Sequence, residues 1–137
     1  MPSWDSIKEG DELPSVEKRI GLTQLVKYAA GSGDFNPLHY DYNFRQAKQI
    51  GSIIVHGRFK YALLGEYVSN WLGHGGRIKK ISCQYRGMDF PDQPLMVRGK
   101  VVRKWQEDGK KLAQLTVWTE NGEGKQTTPG EAVVVFD

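Results

Sequence analysis

The sequence predicts an α+β domain in which a curved antiparallel β-sheet wraps around one long central α-helix, and three features carry that expectation. Residues Gly57 to Leu72 hold apolar side chains on almost every side, as a buried helix does. Strand-like segments follow Arg77, with turn dipeptides between the last three. The 137 residues, 39% hydrophobic and 26% charged, suit one compact domain spanning 1–137. A domain of this size buries roughly 68% of its unfolded-chain surface, so a core can form without staples.

The elements follow in order. Residues 1–17 mix Gly10, Pro14 and charges and read as a segment laid on the surface, with a short strand near Val16–Ile20. Thr23 suits an N-cap, and Leu22, Leu25, Val26, Ala29 and Ala30 follow the spacing of a one-sided helix that Gly31 and Gly33 stop. Pro37 removes a donor and pushes Asn36 out of helical geometry, so Asp34 and His39 sit on an ordered loop. A short helix from about Asn43 to Gln49 closes at Gly51, and Ile53–Val55 leads into His56 and Gly57. The central helix is expected to be roughly 24 Å long. Gly73, Gly75 and Gly76 end it. Strands are expected at Ile78–Arg86, Leu95–Trp105, Lys111–Thr119 and Glu131–Phe136 in a meander. Leu95, Val97, Val101 and Trp105 mark one apolar face, and Asp108-Gly109 and Asn121-Gly122 mark turns.

Composition narrows the function. Nineteen basic and sixteen acidic residues give +3, spread as short pairs such as Lys79-Lys80 rather than the block a nucleic-acid partner calls for. The mild excess suits a small ligand bearing phosphates, although solvated strand faces account for most of these residues. No stretch is long and apolar enough to be a membrane span, and no secretory pattern opens the chain, so a cytoplasmic setting is expected. The single Cys83 has no internal disulfide partner and reads as a small apolar residue. An open sheet has edges that a second copy would protect, so a dimer is expected.

The informative segments are Tyr28-Ala29-Ala30-Gly31-Ser32-Gly33-Asp34-Phe35-Asn36-Pro37-Leu38-His39-Tyr40-Asp41 and Ile54-Val55-His56-Gly57. With the closing Gly130-Glu131-Ala132-Val133, they resemble the MaoC-like family of hot-dog-fold proteins, which includes R-specific enoyl-CoA hydratases and 3-hydroxyacyl-thioester dehydratases. The resemblance implies a single hot-dog domain that adds water across a trans-2-enoyl thioester to give an (R)-3-hydroxyacyl thioester, with no metal or redox cofactor. It implies an acyl-CoA or acyl-carrier-protein substrate, and a homodimer or a heterodimer with a sister subunit. It assigns Asp34 and His39 as the catalytic pair. The chemistry fits these residue types: a carboxylate and an imidazole on a Pro-stiffened loop can grip one water and exchange protons near neutral pH. The N–H of Gly57, opening the buried helix, is the candidate donor to the thioester oxygen. Asn36, His56 and Arg58 are candidates for contact with substrate, although Asn36 also suits loop bracing and His56 the orienting of its turn. Taken singly, Asp34 suits a turn, His39 a structural role and Gly57 a plain helix start.

Other readings fail on spacing. Leu38 and His39 stand where a calcium loop needs an oxygen ligand and a glycine. His39, His56 and His74 lack zinc-like spacing, so no metal is expected, and neither Gly-rich segment completes a dinucleotide fingerprint. A hot-dog thioesterase or a structural subunit of a heterodimer are the competing functions. Two departures from the resemblance stand out. Gly65 occupies the place where some relatives carry a serine bonded to the histidine, so His39 needs another partner. Arg58, Lys60 and Glu66 place charge on an apolar helix, which requires that they reach solvent, a partner chain or the ligand. Arg58 is expected at a subunit contact or pocket mouth.

Overall fold

The computed structural model describes residues 1–137. Five strands and three α-helices form in the order β1 (Glu12–Arg19), α1 (Leu22–Ser32), α2 (Arg45–Ile50), α3 (Gly57–Leu72), β2 (Gly76–Cys83), β3 (Pro94–Glu107), β4 (Lys110–Glu120) and β5 (Gln126–Phe136), with a 3-10 turn at Pro37–His39. One antiparallel sheet runs β1-β3-β4-β5-β2. Bulges between Leu13 and Val16, Ile78 and Lys80, and Val101 and Arg103 increase its twist. The sheet curls over α3, whose Leu64, Val68 and Leu72 pack with Val97, Leu115, Val117 and Val134. Burying a leucine of this kind contributes about 2 kcal/mol.

The expected helix at 57–72 forms at those residues, while several other expectations need correction. Only β3-β4-β5 is a meander: β2 pairs with β5, and β1 takes the outer edge of β3, so residues 84–93 must cross between the two sides. Helix α1 is capped by Gly21, whose N–H donates to Gln24 Oε1 at 2.6 Å, and Thr23 lies inside it. Gly31 is helical, and Gly33 at φ 76° ends the helix. The second helix begins at Arg45 rather than Asn43, whose N–H is instead bound by Asp41 Oδ1. The first strand starts at Glu12, ahead of the expected Val16, and β5 starts at Gln126 because Thr127 and Thr128 are buried extended residues. The leading segment enters the core: Ile7 is buried, and Trp4 Nε1–H donates to Leu112 O at 2.9 Å. Trp105 leaves the core face because the bulge at Val101 reverses the alternation, and it lies beneath the Arg103 guanidinium at 4.1 Å.

A second apolar cluster builds the platform for the site. Leu25 of α1, Ala47 of α2, Ile53, Val55, Leu63 of α3 and Leu95 of β3 bury one another, with Ile20 beside them. These contacts hold the loop after α1 against the first turn of α3.

Candidate active site

The loop that follows Gly33 is shaped by its own short polar side chains. Asp34 N–H donates to Ser32 Oγ, Asp34 Oδ1 accepts from Asn36 N–H at 3.3 Å, and Asn36 Oδ1 accepts from Leu38 N–H at 3.1 Å. Pro37 then opens the 3-10 turn that ends at His39. Tyr40 OH donates to Phe35 O at 2.7 Å, and Ile54 N–H donates to Leu38 O at 3.2 Å, which ties the loop to the 53–55 run. Val55 N–H donates in turn to Asp89 O.

This folding brings Asp34 and His39 together. His39 is buried at 9% exposure, its Nδ1 lies 2.9 Å from Ile54 O, and its Nε2 lies 3.9 Å from Asp34 Oδ2, while the Asp34 side chain stays 38% exposed. A carbonyl can only accept, so Nδ1 carries a hydrogen and Nε2 is the ring nitrogen that faces the carboxylate. The Ile54 carbonyl thus supplies the histidine partner that Gly65 lacks. A carboxylate oxygen and a ring nitrogen at this separation suit one water held between them.

His56 is fully buried and stacks on His39, with ring centroids 3.8 Å apart and planes at 22°. Its Nε2 lies 3.3 Å from the Asp34 carbonyl and donates to it, while Nδ1 is buried without a partner. Burial, and then the neighbouring His39, lower the His56 pKa, against the Asp34 carbonyl and carboxylate, which raise it. Ligand atoms of Asp34, His39 and His56 lie within 4.8 Å of one another. The His56 Nε2 hydrogen is engaged by the Asp34 carbonyl, which leaves the orphaned Nδ1 as the free nitrogen of that ring.

Gly57 is the first residue of α3, and the first intrahelical bond runs from Lys60 N–H to His56 O, so the Gly57 N–H has no helical partner. A methyl on Gly57 would meet the Tyr85 ring at 3.1–3.2 Å, so an aromatic face already borders this donor. Arg58 is exposed. Lys60 reaches none of the three destinations expected of a charge on this helix: it is 2% exposed and pairs inside the molecule with Asp89, Nζ to Oδ2 2.9 Å. A groove of about 760 Å³ is lined by Val55, Met88, Asp89 and Phe90 among others, and by none of Asp34, His39, His56 or Gly57. The sequence reading named Tyr28 and Ile54 within its informative segments without giving them a role, and missed Tyr85 and Asp89. Tyr28, edge-on to His56 at 4.8 Å, lay on the visible face of α1, whereas a backbone carbonyl such as that of Ile54 leaves no mark in residue type.

A curved five-stranded antiparallel sheet wrapped on a long helix is the hot-dog fold. The chain belongs to the MaoC-like domain family, whose model matches residues 8–122. The closing strand β5 falls beyond that match. The (R)-specific enoyl-CoA hydratase of Aeromonas caviae is 30% identical over 137 residues, covering 96% of this chain and 97% of that protein. The solved structure of the (R)-hydratase from A. caviae superposes with a TM-score of 0.86 at 29% identity, over 96% of this chain and 98% of that one. The fatty acid synthase beta subunit TOXC of Cochliobolus carbonum is 27% identical over 72% of this chain, which spans only 6% of that protein's length. No helix is long and apolar enough to cross a membrane.

Proposed function

We propose that this chain reversibly hydrates trans-2-enoyl-CoA thioesters to (R)-3-hydroxyacyl thioesters. The observation that carries the reading is Asp34 Oδ2 standing 3.9 Å from His39 Nε2, the imidazole being fixed by the Ile54 carbonyl. The end-to-end likeness to a relative named an (R)-specific enoyl-CoA hydratase supports it. Water held between Asp34 and His39 bonds through its oxygen to C3 of the enoyl group and leaves a proton on the pair. The electron pair of the double bond moves toward the thioester oxygen, where the Gly57 N–H stabilises the charge. The pair then returns the proton to C2, and the atoms of one water have been added. Asn36 holds the loop that carries the pair, His56 steadies it through the Asp34 carbonyl, and the exposed Arg58 meets the CoA phosphates at the mouth of the site.

Two copies assemble through a free sheet edge, β1 or β2 being available, and the protein works in the cytoplasm. The test is incubation with crotonyl-CoA while enoyl absorbance and free thiol are followed separately. Loss of absorbance without thiol release is expected; thiol release with the double bond intact indicates hydrolysis of the thioester instead.

A further inference from the structure

We propose that the buried Lys60–Asp89 pair is a positioning device for the hydration reaction, holding residues 84–93 in register against the first turn of α3. This rests on the hydration reading above. Lys60 lies on the core side of α3, one turn beyond Gly57, and its Nζ donates to Asp89 Oδ2 at 2.9 Å and to Gly87 O at 2.8 Å. Both residues are buried, at 2% and 6% exposure.

The segment they secure has no regular secondary structure, yet it borders Gly57 and is bonded to Val55, next to His56. Tyr85 borders Gly57, the Asp89 carbonyl accepts from Val55 N–H at 2.8 Å, and Met88, Asp89, Phe90 and Pro91 form one wall of the 760 Å³ groove. Its other anchors are Gln84 N–H to Pro129 O, Arg86 and Gly87 N–H to Thr127 O, Asp92 N–H to Ile20 O and Arg19 Nη1 to Asp92 O. Those fix its two flanks to the sheet and to the start of α1. Lys60 is the side chain that ties its middle to the helix bearing the Gly57 donor. An apolar residue fills such a position with no desolvation cost, so a lysine here is suited to geometry rather than to stability. A long reach and several N–H donors let one residue hold a backbone carbonyl and a carboxylate together. Small displacements of reacting groups cost large factors in rate, so a segment that sets the spacing around Gly57 sets kcat.

The decisive variant is Lys60→Met with Asp89→Leu, which exchanges the pair for apolar side chains. The full-length protein should keep a urea midpoint close to wild type. Its kcat for crotonyl-CoA should fall roughly tenfold or more while KM moves less, by the sensitivity of rate to placement. Amide exchange should accelerate in 84–93 and remain slow in β3, β4 and β5. In Asp89→Asn, which keeps the shape and an acceptor oxygen, kcat should fall in step with any loosening of 84–93. Wild-type kcat in the double variant overturns the proposal, and so does a loosened segment with unchanged kcat in either variant. A wild-type protein that does not hydrate crotonyl-CoA sinks the hydration reading itself, which the same plate of assays reports separately.

Discussion

Replacing Gly57 by alanine separates two roles that one residue could play. Gly57 is helical and is absent from the set of glycines with positive φ, so its backbone accommodates alanine without strain. Alanine is favoured over glycine in helices by up to about 1 kcal/mol. Against this, the new methyl would stand 3.1–3.2 Å from three Tyr85 ring carbons, so the ring must give by a few tenths of an ångström. Tyr85 is 54% exposed, so a shift of that size meets solvent rather than packed side chains and is inexpensive. Stability should therefore stay within about 1 kcal/mol of wild type, a shift of roughly 3–5 °C in Tm for a domain of this size. Activity should behave differently. A methyl beside the N–H keeps the thioester oxygen from the donor, and losing one such donor costs roughly 2.7–4 kcal/mol, or about 10²–10³ in rate. The assay is kcat/KM from loss of enoyl absorbance, alongside a urea midpoint on the same preparation. A variant that stays folded and within threefold of wild-type kcat/KM refutes Gly57 as the oxyanion donor. Adding Tyr85→Ala is the control: if it restores activity, the methyl acted by displacing the ring rather than by blocking the donor.

Further outcomes follow from the same geometry. Asp34→Asn and His39→Asn should each lower kcat by about 10²–10⁴ with little change in melting temperature, and the double variant should be no worse than either, because one shared water needs both partners. His56 has its folded pKa lowered by burial from 6.5, so the unfolded chain takes up its proton first and stability is lost as pH falls below about 6.5. His56→Gln should shrink that acid loss, measured as the change in urea midpoint between neutral and mildly acidic buffer. The Tyr67 hydroxyl is buried without a partner, and burial pushes its pKa from 10.0 up to about 12. Stability should therefore fall as pH rises from 10 toward 12, by up to about 2–3 kcal/mol. Tyr67→Phe should flatten that alkaline limb and, by removing an orphaned hydroxyl, leave the protein at least as stable at pH 7.

What was legible in the sequence was what depends on neighbours along the chain. Helix α3 could be bounded at Gly57 and Leu72 because its apolar character and flanking glycines are local signals. The Asp34–His39 loop was legible for the same reason: Asn36 and Pro37 determine its turns within a few residues. The strand partners were not. Nothing in residues 78–83 distinguishes an edge beside β3 from an edge beside β5, since pairing is decided by where β1 and the crossing segment lie. The bulge at Val101 was equally invisible, and it turned Trp105 from an expected core residue into a half-buried one stacked under Arg103.

Lys60 shows how far such reasoning reaches. A lysine amid Phe59, Leu63, Leu64 and Tyr67 announces that a buried or solvent partner must exist, because an ammonium in an apolar setting is costly alone. The announcement carries no address: Asp89 lies 29 residues away, in a stretch with no periodicity, and only the curl of the sheet brings it to the helix. The same curl brings Tyr85 to Gly57 and the Asp89 carbonyl to Val55. The residues proposed to do the chemistry are therefore encoded locally, whereas those proposed to hold it in place are encoded by topology, and variants of the second kind should alter rate while leaving the motif intact.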